Sequence, residues 1–182
     1  MRPLGVILAA GASSRMGSHK ALLLVGGVPL IVRHVHALGP DVRIGLGAEA
    51  DRIAAVLPPG VDIVINDGWA DTGPRETLQR LIEGLPGERW LIITPVDVPP
   101  APPAVLDALL KAGPPAVPVW QGQRGHPVLL TVAAARAALV HGTLRDALAD
   151  AREVPVDWAD TTRNLNTPED WQAWTGAALT RA

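Results

Sequence analysis

The sequence contains no cysteine, tyrosine or phenylalanine, and only two of its 16 cationic side chains are lysines, Lys20 and Lys111. Without cysteine, the chain cannot form disulfides, thiolate nucleophiles or thiolate-bound metal centres. A metal ion would therefore need oxygen or imidazole ligands, which favours a hard cation such as Mg²⁺. Arginine supplies the other cationic side chains, so a lysine is rare in this sequence. The position of Lys20 is therefore a stronger indication of function than the position of any arginine.

Long hydrophobic runs and strong net charge are also missing. The longest apolar stretch, residues 21–32, is interrupted by Gly26, Gly27 and Pro29 and is too short to cross a bilayer. The net charge is −2, and the basic residues do not cluster along the sequence. These features argue against a membrane or a nucleic acid as partner. They predict a cytoplasmic protein with a single domain, residues 1–182, although they assign no oligomeric state.

Short apolar segments rich in β-branched residues alternate with segments of helical periodicity, which is typical of an α/β fold with a mainly parallel sheet. The predicted strands are residues 4–10, 42–46, 61–65, 90–94, 116–119, 127–130 and 153–156. The predicted helices are residues 29–38, 48–56, 76–85, 102–111, 132–139, 143–149 and 168–178.

A loop of small residues follows the first predicted strand and ends in two cations. Gly11 and Gly17 allow the backbone to approach a ligand and to adopt positive φ, which turns amide groups toward an anion. Arg15 offers a planar fork and Lys20 a compact ammonium group for phosphate oxygens. Ala21 after the lysine rules out a Walker A loop. We predict a phosphate-binding loop; the alternative is a glycine turn with a purely structural role.

Asp97 follows the fourth predicted strand, between Pro95 and Pro99. In open α/β sheets, ligands bind beyond the carboxyl ends of the strands. The flanking prolines restrict the backbone, which suits a metal ligand. Alternatively, Asp97 caps the helix that begins near Pro102. Together with the first loop, the position of Asp97 favours metal binding.

Three further segments contain candidate binding residues. Gly73 and Thr77 lie near a predicted helix start, where they could contact a base or ribose, unless this segment only caps the helix. His126 precedes a strand and faces either solvent or a cleft. Asn164 and Asn166 alternate just before the last helix, and the capping signals of that helix do not explain them.

Taken in order, these segments resemble the molybdenum cofactor nucleotidyltransferases, within the larger superfamily that includes sugar-phosphate nucleotidyltransferases. The resemblance covers residues 8–171 and is carried by the block LAAGASSRMGSHK, followed at a typical distance by the motif PVDVP. It implies a single-domain α/β fold, a Rossmann-like three-layer sandwich with a mainly parallel mixed sheet.

The resemblance also implies a role for each motif residue. The nucleotide-binding residues would be Leu8, Ala9, Ala10, Gly11, Arg15, Lys20, Gly73 and Thr77. The catalytic residues would be Lys20, Arg15 and Asp97, with Asp97 as the Mg²⁺ ligand. We expect His126, Asn164 and Asn166 to contact the acceptor.

The implied reaction is a Mg²⁺-dependent transfer of a nucleoside monophosphate from CTP or GTP to a phosphate of molybdopterin or the molybdenum cofactor, with release of pyrophosphate. Residues 8–11 together with residues 124–130 resemble the cytidylyltransferase branch, whereas residues 164–169 resemble the guanylyltransferase branch. The alternatives are a sugar phosphate or another small phosphate as acceptor, or an inactive nucleotide-binding accessory protein. A molybdoenzyme or its chaperone is the protein partner that the resemblance implies.

Overall fold

A computed structural model of the chain describes residues 2–176. The strands are β1 (Leu4–Ala9), β2 (Leu24–Val25), β3 (Val28–Pro29), β4 (Val42–Leu46), β5 (Asp62–Ile65), β6 (Trp90–Pro95), β7 (Ala116–Trp120), β8 (Gln123–Arg124), β9 (Val128–Thr131) and β10 (Arg152–Pro155). The helices are α1 (Leu30–Leu38), α2 (Ala50–Ala54), α3 (Pro74–Leu81), α4 (Pro103–Ala112), α5 (Val132–His141), α6 (Leu144–Ala147) and α7 (Pro168–Thr175). Short 3-10 turns span Ser14–Met16, Lys20–Leu22 and Ala159–Thr162. Within residues 2–176, no helix is both long and apolar enough to span a membrane.

The sheet has the strand order β10-β7-β9-β6-β1-β4-β5, and β8 pairs with β7. Strands β6, β1, β4 and β5 run parallel to one another, whereas β9 runs antiparallel to both β6 and β7. A separate hairpin is formed by β2 and β3. The predicted α/β fold with a mainly parallel mixed sheet is therefore confirmed, with β1 near its centre.

Helices cover both faces of the sheet. In β1, the side chain of Ile7 packs with the core beneath α1, whereas its neighbour Val6 packs with the core beneath α3 and α5. In β6, Ile92 packs against α4, and Leu91 and Ile93 point to the opposite face. This alternation is the period of two that a buried strand imposes, and it gives three layers.

Several helices begin or end at other residues than predicted. Helix α3 begins at Pro74, two residues before the prediction, because proline fits the first helical turn. The hairpin formed by β2 and β3 was not predicted, since two-residue strands leave no periodicity to detect. Helix α7 ends at Thr175; residues 177–178 of the predicted helix lie outside the described part of the chain.

Three loops meet where β1 and β6 end. The Val96 amide donates to the Leu8 carbonyl over 3.0 Å, which joins the two strand ends. The Leu165 amide donates to the Asp97 carbonyl over 2.7 Å, which brings the segment before α7 to the same edge. Residues that are far apart in sequence thus converge at the carboxyl edge of the sheet.

Candidate active site

A cavity of about 300 Å³ opens at this edge. Its walls come from the loop after β1, the segment from the end of β5 into α3, the end of β6, and the segment before α7. The lining residues are Leu8, Ala9, Ala10, Gly11, Ser13, Ser14, Arg15, Lys20, Asn66, Trp69, Thr72, Gly73, Pro74, Thr77, Pro95, Val96, Asp97 and Asn166. All eight residues predicted to bind the nucleotide are among them. The cavity is large enough for part of a small ligand.

The loop after β1 leaves space at the cavity. A Cβ atom added to Gly11 would meet no atom within 4 Å, so this glycine borders open space. Gly17 has the predicted positive φ, 68°, but the expectation of positive φ at Gly11 is wrong. Ser13 takes the left-handed conformation instead, with φ of 53°, and its Oγ accepts a hydrogen bond from the Lys20 amide over 3.2 Å.

Gly47, which follows β4, allows the close packing behind this loop. A Cβ atom at Gly47 would lie 2.5 Å from Trp69 Cβ and 2.6 Å from the Ala10 carbonyl oxygen. The Ala10 oxygen also accepts a hydrogen bond from the Ala48 amide. A larger residue at position 47 would therefore displace either the loop or Trp69. Sequence analysis did not identify this glycine, because its requirement arises from three separate segments.

The Lys20 ammonium group lies at the centre of the polar contacts in the cavity. Its Nζ donates to Asn166 Oδ1 over 2.7 Å and to Asp97 Oδ2 over 3.2 Å. The Lys20 side chain is 8% exposed and that of Asp97 is 32% exposed. A buried ammonium group needs such partners, because its desolvation would otherwise be costly. Asp97 is not a helix cap, since the N-cap of α4 is Pro102.

Of the two asparagines before α7, the structure brings one to the site. Thr167 is the N-cap of α7, and Asp170 accepts hydrogen bonds from the amides of Asn166 and Thr167. These amides hold the pKa of the Asp170 carboxyl below its usual value. The Asn166 side chain therefore plays no part in capping and reaches Lys20. Asn164 is exposed and does not line the cavity.

Asn66 organises the opposite wall. This buried side chain donates from Nδ2 to Thr72 Oγ1 over 2.9 Å and to Thr77 Oγ1 over 3.0 Å. The two hydroxyls donate in turn to the carbonyls of Gly68 and Gly73. The network ties the loop after β5 to α3. Sequence analysis did not assign Asn66 or Thr72 to the site; the signal available was an asparagine directly after a strand.

Gly73 is the N-cap of α3, and its amide donates to Glu76 Oε2 over 2.9 Å. This hydrogen bond lowers the pKa of the Glu76 carboxyl. Gly73 therefore caps the helix and lines the cavity as well. Because Gly73 has no side chain, its backbone forms this part of the cavity wall. A Cβ atom added there would have Glu76 Oε2 at 3.6 Å as its nearest contact.

His126 does not line the cavity, but it lies close to Asp97, which does. Its amide donates to the Thr161 carbonyl over 2.8 Å, and Thr161 Oγ1 donates back to the His126 carbonyl over 2.8 Å. Burial lowers the pKa of the imidazole, and the nearby Asp97 carboxylate opposes this effect. The ring Nδ1 is buried and has no hydrogen-bond partner among the described residues. Thus the histidine that has no carboxylate nearby in sequence has Asp97 as its neighbour in the fold.

Residues 5–155 match the family model of the MobA-like NTP transferase domain. The chain belongs to this family. A molybdenum cofactor guanylyltransferase from Rhodobacter capsulatus is 35% identical over 188 residues, covering 93% of each chain. Among solved structures, a nucleotidyl transferase from Methanothermobacter thermautotrophicus aligns with a TM-score of 0.78 at 21% identity, covering 94% of this chain and 95% of the other. A Mycobacterium tuberculosis protein in complex with manganese aligns with a TM-score of 0.75 at 20% identity, covering 98% and 100%.

The manganese in the Mycobacterium tuberculosis structure raises the question of whether the residues of this chain could hold a divalent metal ion. Among residues 2–176, no three histidine, aspartate or glutamate side chains form a group that could bind a metal. Asp97 Oδ2 and Asn166 Oδ1 nevertheless converge on one cation, the Lys20 ammonium. A single carboxylate is sufficient for Mg²⁺ when water and substrate phosphates complete the coordination. The oxygen donors present therefore fit such an ion.

Proposed function

We propose that this chain transfers the GMP group of GTP to a terminal phosphate of molybdopterin or the molybdenum cofactor, releasing pyrophosphate. One observation carries the proposal: all residues expected to bind the nucleotide line a single cavity, with the Lys20, Asp97 and Asn166 contacts inside it. The guanylyltransferase relative favours GTP over CTP. CTP is the second candidate donor, since residues 124–130 resemble the cytidylyltransferase branch.

In this reaction, a phosphate oxygen of the acceptor attacks the α-phosphorus of the nucleotide. A new P–O bond forms as the bond to the β-phosphate breaks, and pyrophosphate leaves with the electron pair of that bond. No protein nucleophile takes part. Lys20 and Arg15 stabilise the negative charge that develops on the triphosphate, and the loop backbone orients it. Both residues line the cavity and belong to the segment that follows β1.

Asp97 would hold Mg²⁺, with the Asn166 amide oxygen as a second donor. When bound, the ion neutralises charge on the phosphate oxygens. Asp97 also fixes the Lys20 ammonium group through their 3.2 Å contact. The Asn66 network positions Gly73 and Thr77 as the wall against which we place the base or ribose.

The acceptor is assigned to the side of Asp97 that faces His126. The lowered pKa of His126 keeps the ring neutral at pH 7, so that it can form a hydrogen bond to the acceptor as a neutral group. Asn166 is the second acceptor candidate, because it lies in the cavity beside Lys20. Asn164 stays a predicted acceptor contact; it is exposed and lies outside the cavity lining.

We further propose that residues 1–182 form one transferase domain, longer than the matched residues 5–155. Leu165 and Asn166 support this extension, because both contact the β6–α4 connection or the β1 loop. We place the protein in the cytoplasm, with a molybdoenzyme or its chaperone receiving the product. Nucleic acid and membrane partners are not part of the proposal.

The test is pyrophosphate release from GTP, CTP, ATP or UTP in separate reactions, each with Mg²⁺ and molybdopterin. We expect release with GTP that depends on the acceptor and stops when EDTA removes the metal. Release with CTP alone would change the donor to cytidine. In a parallel series with a sugar phosphate in place of molybdopterin, release only in that series would support the alternative acceptor. Tight nucleotide binding without release in either series would indicate a nucleotide-binding accessory protein.

A further inference from the structure

The residue before Lys20 is a histidine that the proposed reaction does not use. His19 is 2% exposed, and its ring Nδ1 accepts a hydrogen bond from the Ala21 amide over 3.3 Å. His19 is thereby the N-cap of the 3-10 turn Lys20–Leu22. Serine, threonine, aspartate and asparagine are the usual residues in this role. An imidazole is unusual there because protonation removes its acceptor.

The second ring nitrogen of His19 is buried as well. Because Nδ1 accepts a hydrogen bond, we assign the ring proton to Nε2. Nε2 is buried without a hydrogen-bond partner among the described residues, and the Gly11 carbonyl interacts electrostatically with the ring. The imidazole is therefore close to the start of the phosphate-binding loop at Gly11 and also to its end at Lys20.

Two contacts thus fix the backbone that carries Lys20. The Lys20 amide donates to Ser13 Oγ over 3.2 Å, and the Ala21 amide donates to His19 Nδ1. The Lys20 ammonium group in turn lies 2.7 Å from Asn166 Oδ1. The backbone conformation sets the direction of a side chain. A change in this turn would therefore move the Lys20 ammonium group relative to the phosphates of the proposed nucleotide.

We propose that His19 is a positioning residue for Lys20, and that its neutral ring holds the phosphate-binding loop in the conformation that binds a nucleoside triphosphate. This inference rests on the proposed function for the identity of the ligand. Protonation of Nδ1 would replace the acceptor of the Ala21 amide with a second donor and release the turn.

The charges around the ring determine when this occurs. Burial lowers the pKa of His19, and Lys20 and Arg52 act in the same direction, whereas Glu49 and the Gly11 carbonyl oppose them. The ring therefore stays neutral to a lower pH than a solvent-exposed histidine, whose pKa is about 6.5. Affinity for the triphosphate should be constant above this value and should fall in more acidic solution.

The test compares His19→Asn, His19→Leu and the wild type, with His36→Asn as the matched control because His36 is exposed on α1. The readout is the Kd of GTP and of CTP with Mg²⁺, measured by calorimetry between pH 4.5 and 8. At pH 8, we expect His19→Leu to bind about fivefold more weakly, the loss of one N-cap. His19→Asn keeps an acceptor and should bind within about twofold of the wild type.

At acidic pH, His19→Asn should lose less affinity than the wild type and His36→Asn, since its amide does not titrate. Equal pH profiles for His19→Asn and the wild type would overturn the inference, as would unchanged binding by His19→Leu. If His19→Leu does not fold, the pH profile of His19→Asn decides alone. Wild-type protein that binds neither nucleotide overturns the inference as well. Binding that responds to His19 without pyrophosphate release supports the inference and rejects the proposed function instead.

Discussion

At the scale of single residues, Lys20 connects three separate parts of the chain. Its backbone amide contacts Ser13, and its ammonium group contacts Asp97 after β6 and Asn166 before α7. The contacts with Asp97 and Asn166 give the lysine a structural role in addition to its proposed role as a phosphate ligand. Substitutions here must therefore be examined for stability and for activity separately.

We expect Lys20→Ala and Asp97→Ala each to lower kcat by about 100- to 1000-fold, the usual loss of one preorganised charge contact. Steady-state pyrophosphate release measures the effect, and circular dichroism checks the fold. The matched controls are Lys111→Ala and Asp107→Ala, because both residues are exposed on α4. A near wild-type rate for either site variant would remove that residue from the proposed mechanism.

The burial of His34 on α1 leads to a prediction of how the stability of the protein depends on pH. It is fully buried and donates from Nε2 to the Val98 carbonyl over 3.0 Å. Burial lowers the pKa of this ring to about 4, although the carbonyls of Val98 and Val96 and the Asp97 carboxylate oppose the shift. The unfolded chain therefore binds the proton more strongly than the folded chain does.

Because of this difference, the stability contributed by neutral His34 is fully present above pH 6.5 and is lost as the pH falls toward 4. The loss should reach about 3 kcal/mol. Urea unfolding of the ligand-free protein at several pH values measures it. His34→Gln, which cannot be protonated, should show a smaller loss over the same range. Equal slopes for the two proteins would show that His34 does not carry this dependence.

At the scale of elements, the cavity depends on how α3 is attached to the loop after β5. Asn66 donates to Thr72 within the loop and to Thr77 on the helix. Gly45 permits the packing of the helix on β4, since a Cβ atom there would lie 2.4 Å from Thr77 Cγ2. The position of Thr77 is thus set by a buried amide on one side and by a glycine on the other.

We expect Asn66→Ala to cost about 2 kcal/mol of unfolding free energy, since two buried hydrogen bonds are lost. The KM for the nucleotide should rise by about tenfold while kcat changes little, because the wall is displaced and the phosphate-binding loop is not. Urea unfolding and steady-state kinetics measure these effects. Thr77→Val removes one of the same contacts, so the double variant should be less damaged than the sum of the single ones. Additive losses would indicate that the two residues act independently.

At the scale of the whole molecule, the cavity is built from the N-terminal loop, the middle of the chain and the segment before α7. A ligand in this cavity contacts all three at once and binds only the folded chain. Binding therefore adds directly to global stability.

We expect GTP with Mg²⁺ at 100 times its Kd to add about 2.7 kcal/mol, which corresponds to a rise in Tm of about 5 to 10 °C. Differential scanning fluorimetry measures the shift. EDTA should abolish it in the presence of GTP and leave the Tm of the ligand-free protein unchanged. Lys20→Ala should reduce the shift, and Lys111→Ala should not. A full shift in EDTA would exclude a metal from nucleotide binding.

The sequence by itself determined the α/β class, because β-branched runs and helical periods are local properties. It also identified the loop after β1 and Asp97 as candidate parts of the site, because Gly11, Arg15 and Lys20 were predicted from their own chemistry and from their place after a strand. The eight predicted nucleotide-binding residues consequently all line the cavity.

Only the tertiary structure decided which residues meet. It showed that Asn166 contacts Lys20 whereas Asn164, two positions earlier, is exposed. It also packed Gly47 behind the loop after β1, put Asn66 in the cavity wall and placed His126 near Asp97. These roles depend on the approach of distant segments, which follows from the register of the whole sheet and the packing of its helices, and no local pattern encodes such an approach.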